Sequence, residues 1–141
     1  MTARAGKQIL DVGLTGGPFS PAVIAGGVCY LSGQGGLDPA TGEVVEGGIR
    51  PETHQTLRNV EAVLAAGGMT LSDVVTVTCY LVDIDEWPAM NEVYAAHFDD
   101  SRPYPARTAV AVAALPNGMR VEMTVIAVPP AGLLPGEPTS S

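Results

Sequence analysis

Cations are scarce in this chain: seven Lys and Arg stand against fifteen Asp and Glu, a formal net charge of -8. They are scattered as Arg4, Lys7, Arg50, Arg58, Arg102, Arg107 and Arg120, with no run or stripe among them. Such a surface repels phosphate backbones and anionic lipid, so neither nucleic acid nor a membrane is expected as a partner. Long apolar runs are missing as well. Apolar residues make up 46% of the chain, yet no run approaches the ~20 residues that span a bilayer. No apolar segment followed by a small-residue cleavage site opens the sequence, and a cytoplasmic location is the expectation. Cysteine is limited to Cys29 and Cys79. Both lie in apolar β-like runs without metal-ligand spacing and read as reduced, buried small hydrophobes, with a disulfide as the other option. His54 and His97 lack a third ligand or a paired nucleophile, so no metal site and no histidine catalysis are expected. The glycines of Ser32-Gly33-Gln34-Gly35-Gly36 resemble a phosphate loop only in outline, since the Lys-Ser/Thr of a P-loop and a complete GxGxxG are both lacking. They fit a close backbone turn at the mouth of a pocket.

What is present has the size and punctuation of a single domain over residues 1–128. Residues 7–12 and 22–32 read as strands, the second broken by Gly26-Gly27 into a hairpin. Residues 33–48 read as a loop. A helix begins near Pro51-Glu52, with Leu57, Val60, Val63 and Leu64 as its apolar stripe and Gly67-Gly68 as its stop. A strand over 74–82 follows. Asp83 and Asp85 are candidate N-caps for a second helix, whose stripe is Met90, Val93, Tyr94, His97 and Phe98, with Trp87 packing at its start. Strands over 107–113 and 119–128 close the domain. They are joined by Leu115-Pro116-Asn117-Gly118, whose Asn-Gly pair predicts a hairpin turn. From residue 129 a Pro/Gly/Ser-rich tail reads as disordered. The order ββαβαββ makes both helices crossovers on one face of a mixed, mostly antiparallel sheet of about six strands, an α+β two-layer sandwich.

Alternation along the last two strands puts Thr108, Val110, Val112, Val121, Met123, Val125 and Ala127 on one face, suited to burial under the helices. Arg107, Ala109, Ala111, Ala113, Glu122, Thr124, Ile126 and Val128 fall on the other. That second face is too apolar for water, which predicts an oligomer. With a two-residue turn, Glu122 would sit opposite Ala113, roughly 20 Å from Arg107 along the ladder. The two charges would then meet only across subunits. An arginine aimed into such a cleft suits bidentate capture of a carboxylate, and a glutamate from the neighbouring chain suits general-base activation of water. An intersubunit salt bridge, or a solvated Glu122, is the plainer reading of the same pattern.

Five segments in this order, Gly17-Pro18-Phe19-Ser20, Tyr30-Leu31-Ser32-Gly33-Gln34, Asn91-Glu92-Val93-Tyr94, Pro105-Ala106-Arg107-Thr108 and 121–128, resemble the RidA/YjgF family of enamine/imine deaminases. The resemblance covers residues 7–128. It implies a chorismate-mutase-like fold, a homotrimer with sites between subunits, and hydrolysis of 2-imino or 2-enamino acids such as 2-aminoacrylate to 2-keto acids and ammonia. No metal or organic cofactor is implied. Arg107 would bind the substrate carboxylate and Glu122 would activate water. Phe19, Ser32, Gly33 and Asn91 would line the pocket, and the backbone carbonyl of Ala109 would accept a hydrogen bond from the substrate nitrogen. The chain departs from the family pattern at Phe19, where Tyr is common, and at Ala109, where Cys is common. Those departures leave two other readings: a carboxylate-binding protein without turnover, or a diverged enzyme of a biosynthetic pathway. Endoribonuclease activity, attached to some relatives, fits the acidic charge least.

Overall fold

The computed structural model describes residues 6–10, 12 and 17–130. The tail expected from residue 129 lies outside them from residue 131, and so does residue 11 of the expected first strand.

Among the described residues one sheet carries seven strands: β1 (Gln8–Leu10), β2 (Ala22–Ala25), β3 (Val28–Leu31), β4 (Gln34–Gly35), β5 (Val74–Leu81), β6 (Ala106–Ala111) and β7 (Val121–Ala127). Two helices, α1 (Ile49–Ala66) and α2 (Trp87–Ala96), are the crossovers. The strand order is β1-β2-β3-β7-β5-β6, with β4 also paired to β7. Only β5 and β6 pair in parallel. The fold is therefore α+β, as expected, with one strand more than anticipated. The addition is β4, inside the stretch read as loop; it sets Gly35 opposite Glu122.

Local chemistry accounts for most boundaries. Gly26 and Gly27 take left-handed φ angles of 58° and 79°, which glycine adopts at no steric cost, and close the β2–β3 hairpin. The α1 stripe of Leu57, Val60, Val63 and Leu64 is buried against Val77, Cys79, Leu81, Val121, Met123 and Val125 of the sheet. Each side chain so buried contributes about 1.5–3 kcal/mol. Cys29 and Cys79 are free and buried in this core, and burial lifts the Cys79 thiol to about 11. Asp83 caps a 3-10 turn rather than α2, accepting from the Asp85 amide at 2.9 Å. Asp85 caps neither element. Trp87, expected to pack, is 42% exposed.

The buried carboxylate of Glu52 on α1 fixes the start of β7. It accepts from the Arg120 amide at 2.8 Å, while the Arg120 guanidinium reaches both oxygens of Glu86 at 3.2 Å. Burial raises the Glu52 carboxyl, and the Arg120 amide and charge offset part of that rise.

The expected last hairpin does not form. Asn117 and Gly118 do take left-handed φ angles of 60° and 73°, so the turn chemistry is realised. The strands beside it, however, pair with others. A helical crossover returns the chain parallel to its starting strand, so α2 delivers β6 to the outer side of β5. The inner side is left for β7, antiparallel to β5. The phase of β6 is therefore set by β5: Arg107, Ala109 and Ala111 register with Val77, Cys79 and Leu81 beneath the helices. Glu122 registers with Tyr80 on the opposite face. Arg107 and Glu122 thus do not share a face, contrary to the sequence pattern.

The face without helices carries exposed apolar side chains, as expected, but they are mixed with threonines and the residues differ. Thr108 and Val110 replace Ala109 and Ala111 there, beside Ile9, Tyr30, Thr78, Thr124 and Ile126. Ile9 is 57% exposed and Tyr30 47%.

Candidate active site: two cavities

The first half-site is a cavity of about 340 Å³ between α2 and β6, lined by Asn91, Tyr94, Ala95, Tyr104, Pro105 and Arg107. The Arg107 guanidinium lies over the Tyr94 ring, 4.7 Å from its centroid. No ion pair and no protein hydrogen bond engage it among the described residues. An unpaired cation in a cavity keeps all its donors for a ligand, and the guanidinium fork matches a carboxylate. Beside it the Asn91 side-chain oxygen is buried without a partner. A buried acceptor left empty calls for a donor from a ligand or water. Ala109 lies two residues along β6. The Val112 amide donates to the Leu81 carbonyl at 2.8 Å. Backbone groups of a strand switch sides at each residue, so the Ala109 carbonyl points off the free edge of β6.

The second half-site is a cavity of about 580 Å³ where Phe19, Ser32, Gly33 and Glu122 come together. Burial raises the Glu122 carboxyl from its ordinary value. A weaker acid is a stronger base once ionised, the property a water-activating carboxylate needs. The backbone of Gly33 passes so close that a Cβ there would lie 2.9 Å from Glu122 Cδ. Phe19 is 58% exposed at the rim. The Ser32 hydroxyl donates to the Ser20 carbonyl at 2.6 Å, tying the Phe19 loop to the end of β3. Its lone pairs are what remain for a ligand.

A family model described as Endoribonuclease L-PSP matches residues 13–129. The chain belongs to this family, the RidA/YjgF family. A RutC family protein of Pyrococcus horikoshii is 46% identical over 111 residues, 79% of this chain and 86% of the relative. A 2-iminobutanoate/2-iminopropanoate deaminase of Homo sapiens is 41% identical over 112 residues, 79% of this chain and 80% of that protein. Among solved structures, RidA from a Psychrobacter species superposes with a TM-score of 0.76 at 41% identity, covering 82% of this chain and 91% of its own. E. coli TdcF with bound serine superposes at 0.80 with 31% identity, covering 87% and 99%.

In this RidA/YjgF-family chain six of the seven residues singled out from sequence line one of the two cavities, and Ala109, packed against the core, lines neither. Arg107 and Asn91 line one cavity; Phe19, Ser32, Gly33 and Glu122 line the other. Sequence reasoning missed Asn59, which donates to the carbonyls of Gly35 at 2.8 Å and Leu37 at 2.9 Å and so clamps the glycine loop to α1. It also missed Tyr104, 64% exposed on the wall of the Arg107 cavity, and read Tyr94 only as core. Aromatic residues three positions from Asn91 and from Arg107 were the available signal. His54 and His97 lie away from both cavities and hydrogen-bond each other at 3.1 Å.

The fit of Gly33 against Glu122 makes a specific prediction. A Gly33→Ala methyl meets the flexible end of a side chain, so the carboxyl moves while the fold stays. Displacing a reacting group by about 1 Å costs up to ~100-fold in rate. Turnover is expected to fall at least tenfold with the melting temperature nearly unchanged; unaltered turnover would remove Glu122 from the reaction.

Proposed function

We propose that this chain hydrolyses 2-imino acids to 2-keto acids and ammonia in a cleft completed by two copies, Arg107 from one and Glu122 from the next, within a homotrimer. The observation that carries this reading is the separation of an unpaired arginine and a raised carboxylate onto opposite faces of one sheet. One chain cannot use both on one small substrate, whereas a second copy seated on the apolar face can supply the missing half. Relatives named as 2-iminobutanoate/2-iminopropanoate deaminases support the reaction type.

The iminium carbon is already electrophilic, so the protein needs only position, base and proton traffic. Arg107 grips the carboxylate. Glu122 takes a proton from water as the water oxygen bonds to C2 and the C=N π electrons move to nitrogen. The resulting carbinolamine nitrogen receives that proton back from Glu122; as the C–N bond breaks and ammonia leaves, the again ionised Glu122 takes the hydroxyl proton, the C2 carbonyl forms, and the proton passes to the departing ammonia as ammonium. Asn91 and the Ala109 carbonyl accept hydrogen bonds from the substrate nitrogen. Phe19 and Ala109 supply no hydroxyl or thiol, which favours a second reading, carboxylate binding without turnover. Ribonuclease action does not fit a chain of net charge -8 with its cations dispersed.

The test generates imines in situ from several L-amino acids with an amino-acid oxidase and traps what remains with semicarbazide. The protein is expected to deplete the semicarbazone; decay of every imine at the uncatalysed rate would sink the deaminase reading and leave the binding one. In parallel, Ile126→Asp on the apolar face is expected to give monomers in sedimentation and to abolish turnover, because it forces an unpaired charge into the interface. Monomers with full turnover would overturn the shared cleft.

A further inference from the structure

Four observations converge on the underside of Arg107. Its guanidinium lies 4.7 Å from the Tyr94 ring centroid. Tyr94 is itself immobilised, 4% exposed and 4.9 Å from the Phe98 ring, which in turn meets Tyr104 at 5.7 Å. No carboxylate pairs with Arg107 among the described residues. The Tyr94 hydroxyl is buried without a protein partner, so no hydrogen bond within the protein runs from it to Arg107.

A cation that must bind an anion presents a design conflict. An acidic side chain would fix the guanidinium firmly, but it would occupy the same N–H donors and repel the incoming carboxylate. An aromatic face avoids this, because it attracts the flat face of the guanidinium while the donors lie in its plane. We propose that Tyr94 is a positioning residue, whose ring holds the Arg107 guanidinium in place with its donor edge free for a substrate carboxylate. The ring quadrupole does the holding and the hydroxyl is dispensable. This inference rests on the reading of Arg107 as the carboxylate-binding group.

The test measures 2-oxobutanoate binding by calorimetry on the full-length protein. Tyr94→Phe keeps the ring and is expected to bind within twofold of the parent. Pentafluorophenylalanine at position 94 keeps the ring's shape and reverses its quadrupole; affinity is expected to fall about tenfold relative to Phe. Tyr94→Leu should fall at least as far, and neither loss should recur in an Arg107→Ala background, where nothing remains to be positioned. A merely structural ring would make the Phe and pentafluoro proteins bind alike, and that result overturns the proposal even if Tyr94→Leu fails to fold. Equal losses in Tyr94→Phe and Tyr94→Leu would overturn it too, by assigning the work to the hydroxyl. If Arg107→Ala alone leaves 2-oxobutanoate affinity intact, the failure belongs to the Arg107 reading and the proposal falls with it.

Discussion

Arg107→Lys is expected to weaken 2-oxobutanoate binding about 10- to 100-fold while leaving the fold intact. The charge survives this substitution, so the experiment isolates the fork. A lysine ammonium is a strongly hydrated point charge with rotatable donors, whereas the guanidinium offers two parallel N–H groups at carboxylate spacing. Hydrogen bonds to charged groups are worth about 1.5–3 kcal/mol each, and losing the equivalent of one gives the stated range. Stability should hardly respond, because no ion pair in the described residues depends on Arg107. Lysine can also keep its contact with the Tyr94 ring. Arg107→Ala removes charge and fork together and is expected to fall further. Calorimetry on both variants decides the matter: equal affinity across parent, Lys and Ala would mean that the cavity does not take carboxylates.

The sequence-level reading was sound at the first hairpin and at α1, but not at the start of α2, where Asp83 caps a 3-10 turn instead. Gly26-Gly27 closes a hairpin, the α1 stripe is buried, and Gly67-Gly68 ends the helix, Gly68 taking a left-handed φ of 73°. It went wrong at β6, for a physical reason. Alternation tells which residues share a face only when one face is visibly larger or more apolar than the other. In β6 the odd positions are Arg107, Ala109 and Ala111 and the even ones Ala106, Thr108 and Val110, a pattern with almost no contrast. The phase of such a strand is set by its partner, and the partner is chosen by the α2 crossover, not by the neighbouring Asn-Gly turn. In β7 the contrast between Val121, Met123, Val125 and Ala127 and their neighbours is strong, and the buried face is the one that alternation predicts. The proposed shared cleft does not depend on the phase of β6. Two charges placed on opposite faces are kept apart within one chain at least as firmly as two placed far apart on one face. Asn59 was illegible because its partners, the carbonyls of Gly35 and Leu37, are 24 and 22 residues away.

Replacing Glu122 by Gln is expected to lower kcat by about 10²- to 10⁴-fold, the usual contribution of a general base, while 2-oxobutanoate still binds to Arg107. The amide keeps the size of the side chain and its place against Gly33, so loss of turnover without loss of ligand affinity identifies the proton acceptor. The pH profile supplies a second, independent signature. Burial raises the Glu122 carboxyl, so in the parent kcat/KM should fall as pH drops, with a midpoint higher than that of an ordinary glutamate. That limb should vanish in Glu122→Gln. Stability must move the opposite way to activity. A carboxyl whose pKa is higher folded than unfolded favours the folded state only while protonated; its contribution is complete below the unfolded pKa and is lost as pH rises through the folded one. At neutral pH the ionised Glu122 therefore strains the fold, and Glu122→Gln should melt higher than the parent, with the gain fading in acid. A variant that is more stable at neutral pH yet nearly inactive is what a base held in a desolvated site requires. If Glu122→Gln is instead fully active, Glu122 is a wall of the cavity, and water must be activated by some other group.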